Sequence, residues 1–192
     1  MRFMKIILIF GPENNANEGL WSLELDGTLL NEFEAIFEAW QDAEEIYSFC
    51  SNNMDDIRKK FGYAISPEDA ANEIMDEADV LFELLLKLGK KEIPETNLQQ
   101  VFRPLNNQEK DLTVLQPSKG LIKNKIIRNP KLRIYAVRIA ENTYVVTGGA
   151  IKLTDRMEER PHTKEQLVRL TKVKNWLRDE GILYPEDLNE LS

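Results

Sequence analysis

The segment TYVVTGGAIKLT, Thr143–Thr154, decides how the second half of this chain folds. Its apolar and β-branched residues favour a strand. Two consecutive glycines, Gly148 and Gly149, interrupt that strand, and a single lysine, Lys152, lies just beyond them. Two readings follow. A double glycine inside a strand permits a bulge or a sharp bend and close backbone approach. Alternatively, Thr147-Gly148-Gly149-Ala150 is a tight two-residue turn between separate short strands. The second reading leaves strands of about four residues against a usual length of about five or six, so the bent strand is favoured.

The preceding stretch, KLRIYAVRIA, has strand patterning of its own. Alternation places Leu132, Ile134 and Ala136 on one face and Arg133 and Tyr135 on the other. Glu141-Asn142 makes the turn into the glycine-bearing strand. An antiparallel sheet built this way packs one face on helices and leaves the other open, and Lys152 approaches that open face from the neighbouring strand. The approach to the pair is basic: Lys119, Lys123, Lys125, Arg128, Lys131, Arg133 and Arg138 fall within 20 residues that contain no acid. Cations with an interleaved aromatic ring suit a phosphodiester backbone, since charge neutralises phosphates and a ring stacks on bases. Exposed strand faces are also commonly polar without any ligand.

Elsewhere the chain reads as follows. Ile6–Phe10 and Leu20–Leu25 flank the turn-rich GPENNANEG and form a β-hairpin. Leu29 to Phe49 carries Leu30, Phe33, Ile36, Phe37 and Trp40 at helical spacing, and a shorter helix covers Met54 to Phe61. Ser66-Pro67-Glu68-Asp69 opens a long helix with a capping hydroxyl, a first-turn proline and two acids at the positive dipole end. Its apolar stripe, Ala71, Ile74, Ala78, Leu81, Leu85 and Leu88, runs to Gly89. Residues 90–130 read as a connector with one short strand at Leu112–Leu115. A last helix starts at a Thr163 cap with Gln166 three residues on and ends at Gly181, and YPEDLNELS adds one more helical turn. Internal repeats, low-complexity tracts and heptad runs are absent from the sequence.

Charge divides the chain. Residues 1–100 carry 8 basic against 21 acidic residues, and residues 101–192 carry 17 against 12. A split of this kind points to different partners for the two halves, or to one half facing the other. The reading is α+β: residues 1–95 form an acidic, mainly helical region with an N-terminal β-hairpin, and residues 96–192 a basic antiparallel-sheet region with a C-terminal helix. The hairpin can also add to the later sheet and make one folding unit. The lone cysteine, Cys50, excludes an internal disulfide and a cysteine-based zinc site, which fits a cytoplasmic setting. Met4–Phe10 is too short to span a bilayer, so no membrane partner is expected. Phosphate-binding glycine loops, HExxH, GxSxG and acidic metal loops are all missing.

The segment LRIYAVRIAENTYVVTGGAIKLTDRMEERPHTKEQL resembles the core of the RelE/HigB-like toxins of bacterial toxin–antitoxin systems. That family's pattern is an Arg-bearing strand, a turn, an apolar strand that kinks at small residues into a basic end, and a proline leading into a C-terminal helix. Here those parts are Leu132–Tyr135, Tyr144–Thr147, Gly148-Gly149, Lys152, and Pro161 before the helix. The resemblance covers roughly residues 100–180 and implies a RelE-like fold. It also implies a metal-independent mRNA endoribonuclease working without cofactor, with RNA or the ribosome as partner and an antitoxin protein as regulator. Carried over by position, Arg133 and Lys152 are the phosphate and transition-state cations and Tyr135 the stacking or proton-handling group. Lys123, Lys125, Arg128, Lys131, Arg138, Arg156 and His162 are the RNA-binding candidates. Two departures stand out: one lysine, Lys152, replaces the family's pair, and Arg156 lies among the acids of TDRMEER. The chain is also about twice the usual toxin length. A non-catalytic binding or regulatory module on the same scaffold is the alternative, and an unrelated α+β protein the third. The acidic half is a candidate cover for the basic sheet.

Overall fold

The computed structural model describes residues 4–25, 27–61, 64–106, 108, 111–122, 127, 130–153 and 161–192. Its strands are β1 (Met4–Phe10), β2 (Gly19–Leu25), β3 (Phe102–Pro104), β4 (Gln116–Gly120), β5 (Leu132–Ala140) and β6 (Thr143–Ile151). They form one sheet in the order β1-β2-β6-β5-β4-β3. β1 and β2 make the expected antiparallel hairpin. β2 then lies parallel to β6, with Gly19–Ser22 opposite Thr143–Val146. The strands of the second half pair antiparallel throughout, as expected. The six-stranded sheet is mixed because the N-terminal hairpin joins them through a parallel pair, so that it draws strands from both sides of residue 95. The cause is visible in β2: Leu20, Trp21, Ser22 and Leu23 are all buried, so this strand needs cover on both faces and a neighbour on each side.

Helices α1 (Glu32–Gln41), α2 (Ala43–Asn52), α3 (Met54–Phe61) and α4 (Pro67–Gly89) pack on one face of the sheet, and α5 (Pro161–Asp179) packs on the other. We call these the α4 side and the α5 side. On the α4 side Leu20, Leu132, Ile134, Ala136, Tyr144 and Val146 meet the stripe Ile74, Ala78, Leu81 and Leu85. On the α5 side Trp21, Tyr135, Val137 and Val145 meet Leu170, Val173 and Leu177. Each fully buried aliphatic side chain contributes about 1.5–3 kcal/mol, so both layers are held by apolar burial.

Three sequence expectations shift. The single helix over Leu29–Phe49 is two helices broken at Asp42, whose carboxylate accepts from the backbone N–H groups of Glu44 and Glu45 at 3.0 and 2.9 Å. A capping aspartate satisfies the orphan donors of a new helix and so competes with continuation of the old one. The short strand expected at Leu112–Leu115 is instead β4, Gln116–Gly120. Its sequence, QPSKG, has no β-branched residue and contains a proline. Pro117 lies near the start of the strand, opposite Val137 and just beyond the β3 pairing, where it is asked only to accept: its carbonyl takes the Leu105 N–H at 2.9 Å. The last helix starts at Pro161, a favoured first position, and Thr163 is buried within its first turn. Ser66 caps α4 as expected, accepting from the Asp69 N–H at 3.0 Å.

The glycine question resolves as a continuous strand, because β6 runs unbroken through Gly148 and Gly149. Tyr135 pairs with Gly148 and Ala136 with Val146, so Thr147 is an extra residue, and its hydroxyl donates to the Tyr135 carbonyl at 3.2 Å. That bulge shifts the alternation by one. Tyr144 and Val146 face the α4 side before it, and Ile151 does so after it, while Val145 and Ala150 face the α5 side. The glycines sit between two helices. A Cβ on Gly148 would collide with the Gln166 side-chain amide on α5, and one on Gly149 would lie 2.7 Å from Ile36 Cγ2 and 2.8 Å from Trp40 Cζ2 on α1. Their absent side chains let both layers close on the central strand. Gly149→Ala, whose methyl meets packed core, is expected to lose about 1–3 kcal/mol in urea unfolding. Gly148→Ala, which meets the flexible end of a glutamine, is expected to lose less, and equal losses would contradict this account.

Candidate nucleic-acid interface

Alternation along β5 divides the candidate residues between the two faces. Arg133 and Tyr135 lie on the α5 side, while Arg138, paired with Tyr144 in the β5–β6 register, lies on the α4 side with the even-numbered residues. The open face expected for Arg133 and Tyr135 is not open. α5 packs across it, and Tyr135 is 1% exposed, too enclosed to stack on a base. Burial raises the phenol pKa well above its ordinary value, with the Arg133 charge opposing in part. This hydroxyl therefore keeps its proton at any physiological pH and acts as a hydrogen-bonding group, not as a base.

The other candidates go separate ways. Lys131 reaches α4, its ammonium 2.7 Å from Glu73. Arg138 donates to the Thr113 carbonyl at 3.2 Å beside Tyr144, whose ring stacks on Phe102 at 4.6 Å. Burial pushes the Tyr144 phenol up to about 12, and the neighbouring Arg138 works against that rise. His162 Nε2 lies 3.0 Å from the Ile151 carbonyl, which only accepts, so Nε2 carries the proton. Its ring meets Phe49 edge-on at 5.7 Å. Lys152 follows β6, and its backbone N–H donates to the Lys131 carbonyl at 2.7 Å. Lys123, Lys125, Arg128 and Arg156 lie outside the described residues.

Arg133 is the odd one. Its Nη1 donates to the Pro130 carbonyl at 3.0 Å and the Leu132 carbonyl at 2.6 Å. Among the described residues no carboxylate comes within ion-pair distance of it. Burial lowers its pKa, as expected for a desolvated cation, although Tyr135 and Glu77 act in the opposite sense. A second cation joins it on the same face: Lys119 on β4 is the register partner of Tyr135, and its ammonium donates to the Leu105 carbonyl at 3.0 Å. Burial lowers the Lys119 pKa, and the Arg133 charge lowers it further. Sequence reasoning counted Lys119 only as part of a basic run. The signal that would have found it is the strand pairing of QPSKG, which its proline concealed.

The acidic half does not cover this cluster. Helices α1–α4 carry 14 acidic against 4 basic residues, and they lie on the side of the sheet away from Arg133 and Tyr135. α5, on the same side as that pair, carries 5 basic against 2 acidic residues. Lys164, Lys172 and Arg178 are exposed along it. Arg169 is instead ion-paired to Glu32 at the start of α1. The α4 side of the sheet is thus acidic, while on the other side basic α5 covers β4–β6 and the acidic turn Pro185–Leu191 lies by β1.

One acid of the α4 layer is fully buried. Glu77 is 1% exposed, and its carboxylate accepts from the Lys131 N–H at 2.9 Å and the Leu132 N–H at 2.8 Å. It anchors the start of β5, two residues before Arg133. Desolvation raises its pKa, while those two bonds and the Lys131 and Arg133 charges act to lower it. Among the described residues no group of three or more metal-ligating side chains is present, and no helix is long and apolar enough to cross a membrane. Comparison with family models, curated proteins and solved structures found no match to this chain.

Glu77→Ala strands two buried N–H groups and is expected to destabilise the protein by about 3 kcal/mol, read by chemical unfolding. The raised folded pKa sets the pH dependence. Between the ordinary carboxylate pKa and the folded value, the native state holds a proton that the unfolded chain has lost, so stability falls as pH rises through that window. The stability of the wild type relative to Glu77→Gln should therefore decline from pH 4.5 upward and then level. A rising difference would contradict the burial-dominated shift.

Proposed function

We propose that this protein is an RNA-binding module, approached from the α5 side, in which the RelE/HigB-like strand motif serves binding rather than cleavage. The observation that carries this reading is the contrast between basic α5, packed over β4–β6, and the acidic helices α1–α4 on the opposite face of the sheet. A polyanion is attracted to the layer bearing Lys119, Arg133, Lys164, Lys172 and Arg178, and repelled by the layer of α1–α4. Protein–RNA affinity of this kind comes from neutralised phosphates and needs no base-reading groove.

Three features favour binding over cleavage. Attack by a ribose 2′-hydroxyl calls for a base or oriented cation at the reacting atoms. The Tyr135 phenol is enclosed and protonated. The His162 Nε2 proton is directed to a backbone carbonyl. Arg133 is pinned through Nη1 to two carbonyls. An arrangement of this kind holds a phosphate better than it moves a proton.

Fluorescence anisotropy with a labelled single-stranded RNA, across a salt series, tests the proposal. The expected result is reversible binding of RNA that stays intact on a denaturing gel. Replacing Lys164, Lys172 and Arg178 together by Gln should flatten the slope of log affinity against log salt by about 2, since each phosphate contact contributes about 0.7 on a single strand. An unchanged slope, or no binding at low salt, would reject the α5 face as the interface. Cleavage that disappears in Arg133→Ala would carry the endoribonuclease reading instead.

A further inference from the structure

We propose that the groove between residues 111–117 and α5 is a guanine-binding subsite, an inference that rests on the RNA-binding reading and narrows it. The groove has a volume of about 670 Å³, and Asp111, Val114, Leu115, Pro117 and Lys174 are among its lining residues. Small-ligand sites have volumes of about 300–1,000 Å³ and combine apolar walls with a few polar groups. Lys174 brings α5, the helix of the proposed RNA face, to one wall.

The chain that forms the other wall is braced from within the protein. Gln116 Nε2 donates to the Asp111 carbonyl at 3.0 Å, and Arg138 Nη1 donates to the Thr113 carbonyl at 3.2 Å. Leu115, just before β4, is buried with φ at 55°. A residue other than glycine holds this left-handed conformation only where its surroundings impose it. The wall is therefore set before any ligand arrives, which lowers the ordering cost of binding.

Two opposite charges line this groove without pairing. Asp111 is exposed and Lys174 half-buried. Among the described residues neither the Asp111 carboxylate nor the Lys174 ammonium has a hydrogen-bond or ion-pair partner. A carboxylate only accepts and an ammonium only donates, so the pair calls for a ligand with donors on one edge and acceptors on the next. Guanine has this pattern. Its N1–H and N2 amine stand side by side as donors, and its O6 and N7 stand side by side as acceptors, where lysine is a recurrent partner. Adenine and cytosine set an acceptor ring nitrogen beside their amine, and uracil flanks its N–H with two carbonyls. Each of these turns a lone pair toward a carboxylate. Unpaired bases of a single strand expose the edges concerned, and Val114, Leu115 and Pro117 supply apolar surface for the ring.

The test uses the full chain and a labelled oligouridine whose central position carries guanosine, adenosine, cytidine or inosine, together with guanosine 5′-monophosphate. The guanosine RNA should bind at least about fivefold more tightly than the adenosine and cytidine forms, the low end for one bidentate base contact. Inosine, which lacks the N2 amine, should fall between. Asp111→Asn should bring the preference close to one, and Lys174→Gln should reduce it. Lys172→Gln should instead weaken every RNA and leave the preference intact. Equal affinity for all the RNAs would overturn the subsite and leave the RNA reading standing. A guanosine preference that survives in Asp111→Asn would overturn it as well. A rise in melting temperature with guanosine monophosphate, absent with uridine monophosphate and lost in Asp111→Asn, in a protein that binds none of the RNAs, supports a guanine-nucleotide site and rejects the RNA reading. Absence of both effects rejects both.

Discussion

Everything in this molecule is arranged around a strand that two helices approach from opposite sides. At Gly148 and Gly149, β6 presents no side chain to either α5 or α1, and the Gln166 amide, Ile36 and Trp40 occupy the space where Cβ atoms would stand. Close approach of this kind requires glycine, because any larger residue forces packed side chains out of their rotamers. The Thr147 bulge immediately before the pair resets the alternation, so that Ile151 returns to the α4 side and Ala150 to the α5 side. β6 is also the seam of the sheet. It pairs in parallel with β2 and antiparallel with β5, and so joins the N-terminal hairpin to the C-terminal strands.

Covering both faces has an electrostatic consequence. The apolar contacts of each layer face the sheet, leaving the charged faces of the helices to solvent: acidic on α1–α4 and basic on α5. The acidic helices therefore sit behind the Arg133–Tyr135 face. Among the described residues they hold the basic segment through Glu73 and Glu77 at Lys131 and Leu132. Glu77 illustrates the trade: burial disfavours its charge, yet its carboxylate satisfies backbone donors at the start of β5 that would otherwise be stranded.

Much of the fold was legible residue by residue. The Ser66-Pro67 start of α4, the first hairpin and the alternation of Leu132–Ala136 against Arg133 and Tyr135 all rest on local rules that tertiary packing left intact. The double glycine, too, was readable as a strand feature with close backbone approach. What escaped depended on partners distant in sequence. QPSKG carries no strand propensity and becomes β4 through its neighbours. A parallel pairing of β2 with β6 leaves no turn signature. The break at Asp42 was a contest between a capping carboxylate and an apolar period, and the cap prevailed. For the site, alternation correctly grouped Arg133 with Tyr135, but the burial of Tyr135 depends on where α5 lands, and the contribution of Lys119 depends on a strand the sequence hid.

The account makes function a property of one face. On this proposal phosphates are drawn to the α5 side, where basic side chains line a helix and where, among the described residues, no carboxylate comes within ion-pair distance of the half-buried Arg133, while the opposite layer repels them. Lysine acetylation footprinting by mass spectrometry, with and without a saturating single-stranded RNA, measures this directly on the intact chain. The account predicts that RNA protects Lys119, Lys164 and Lys172 and leaves the exposed Lys59, Lys87 and Lys90 of the acidic layer unchanged. Protection of the second group, or equal protection of both, would contradict it.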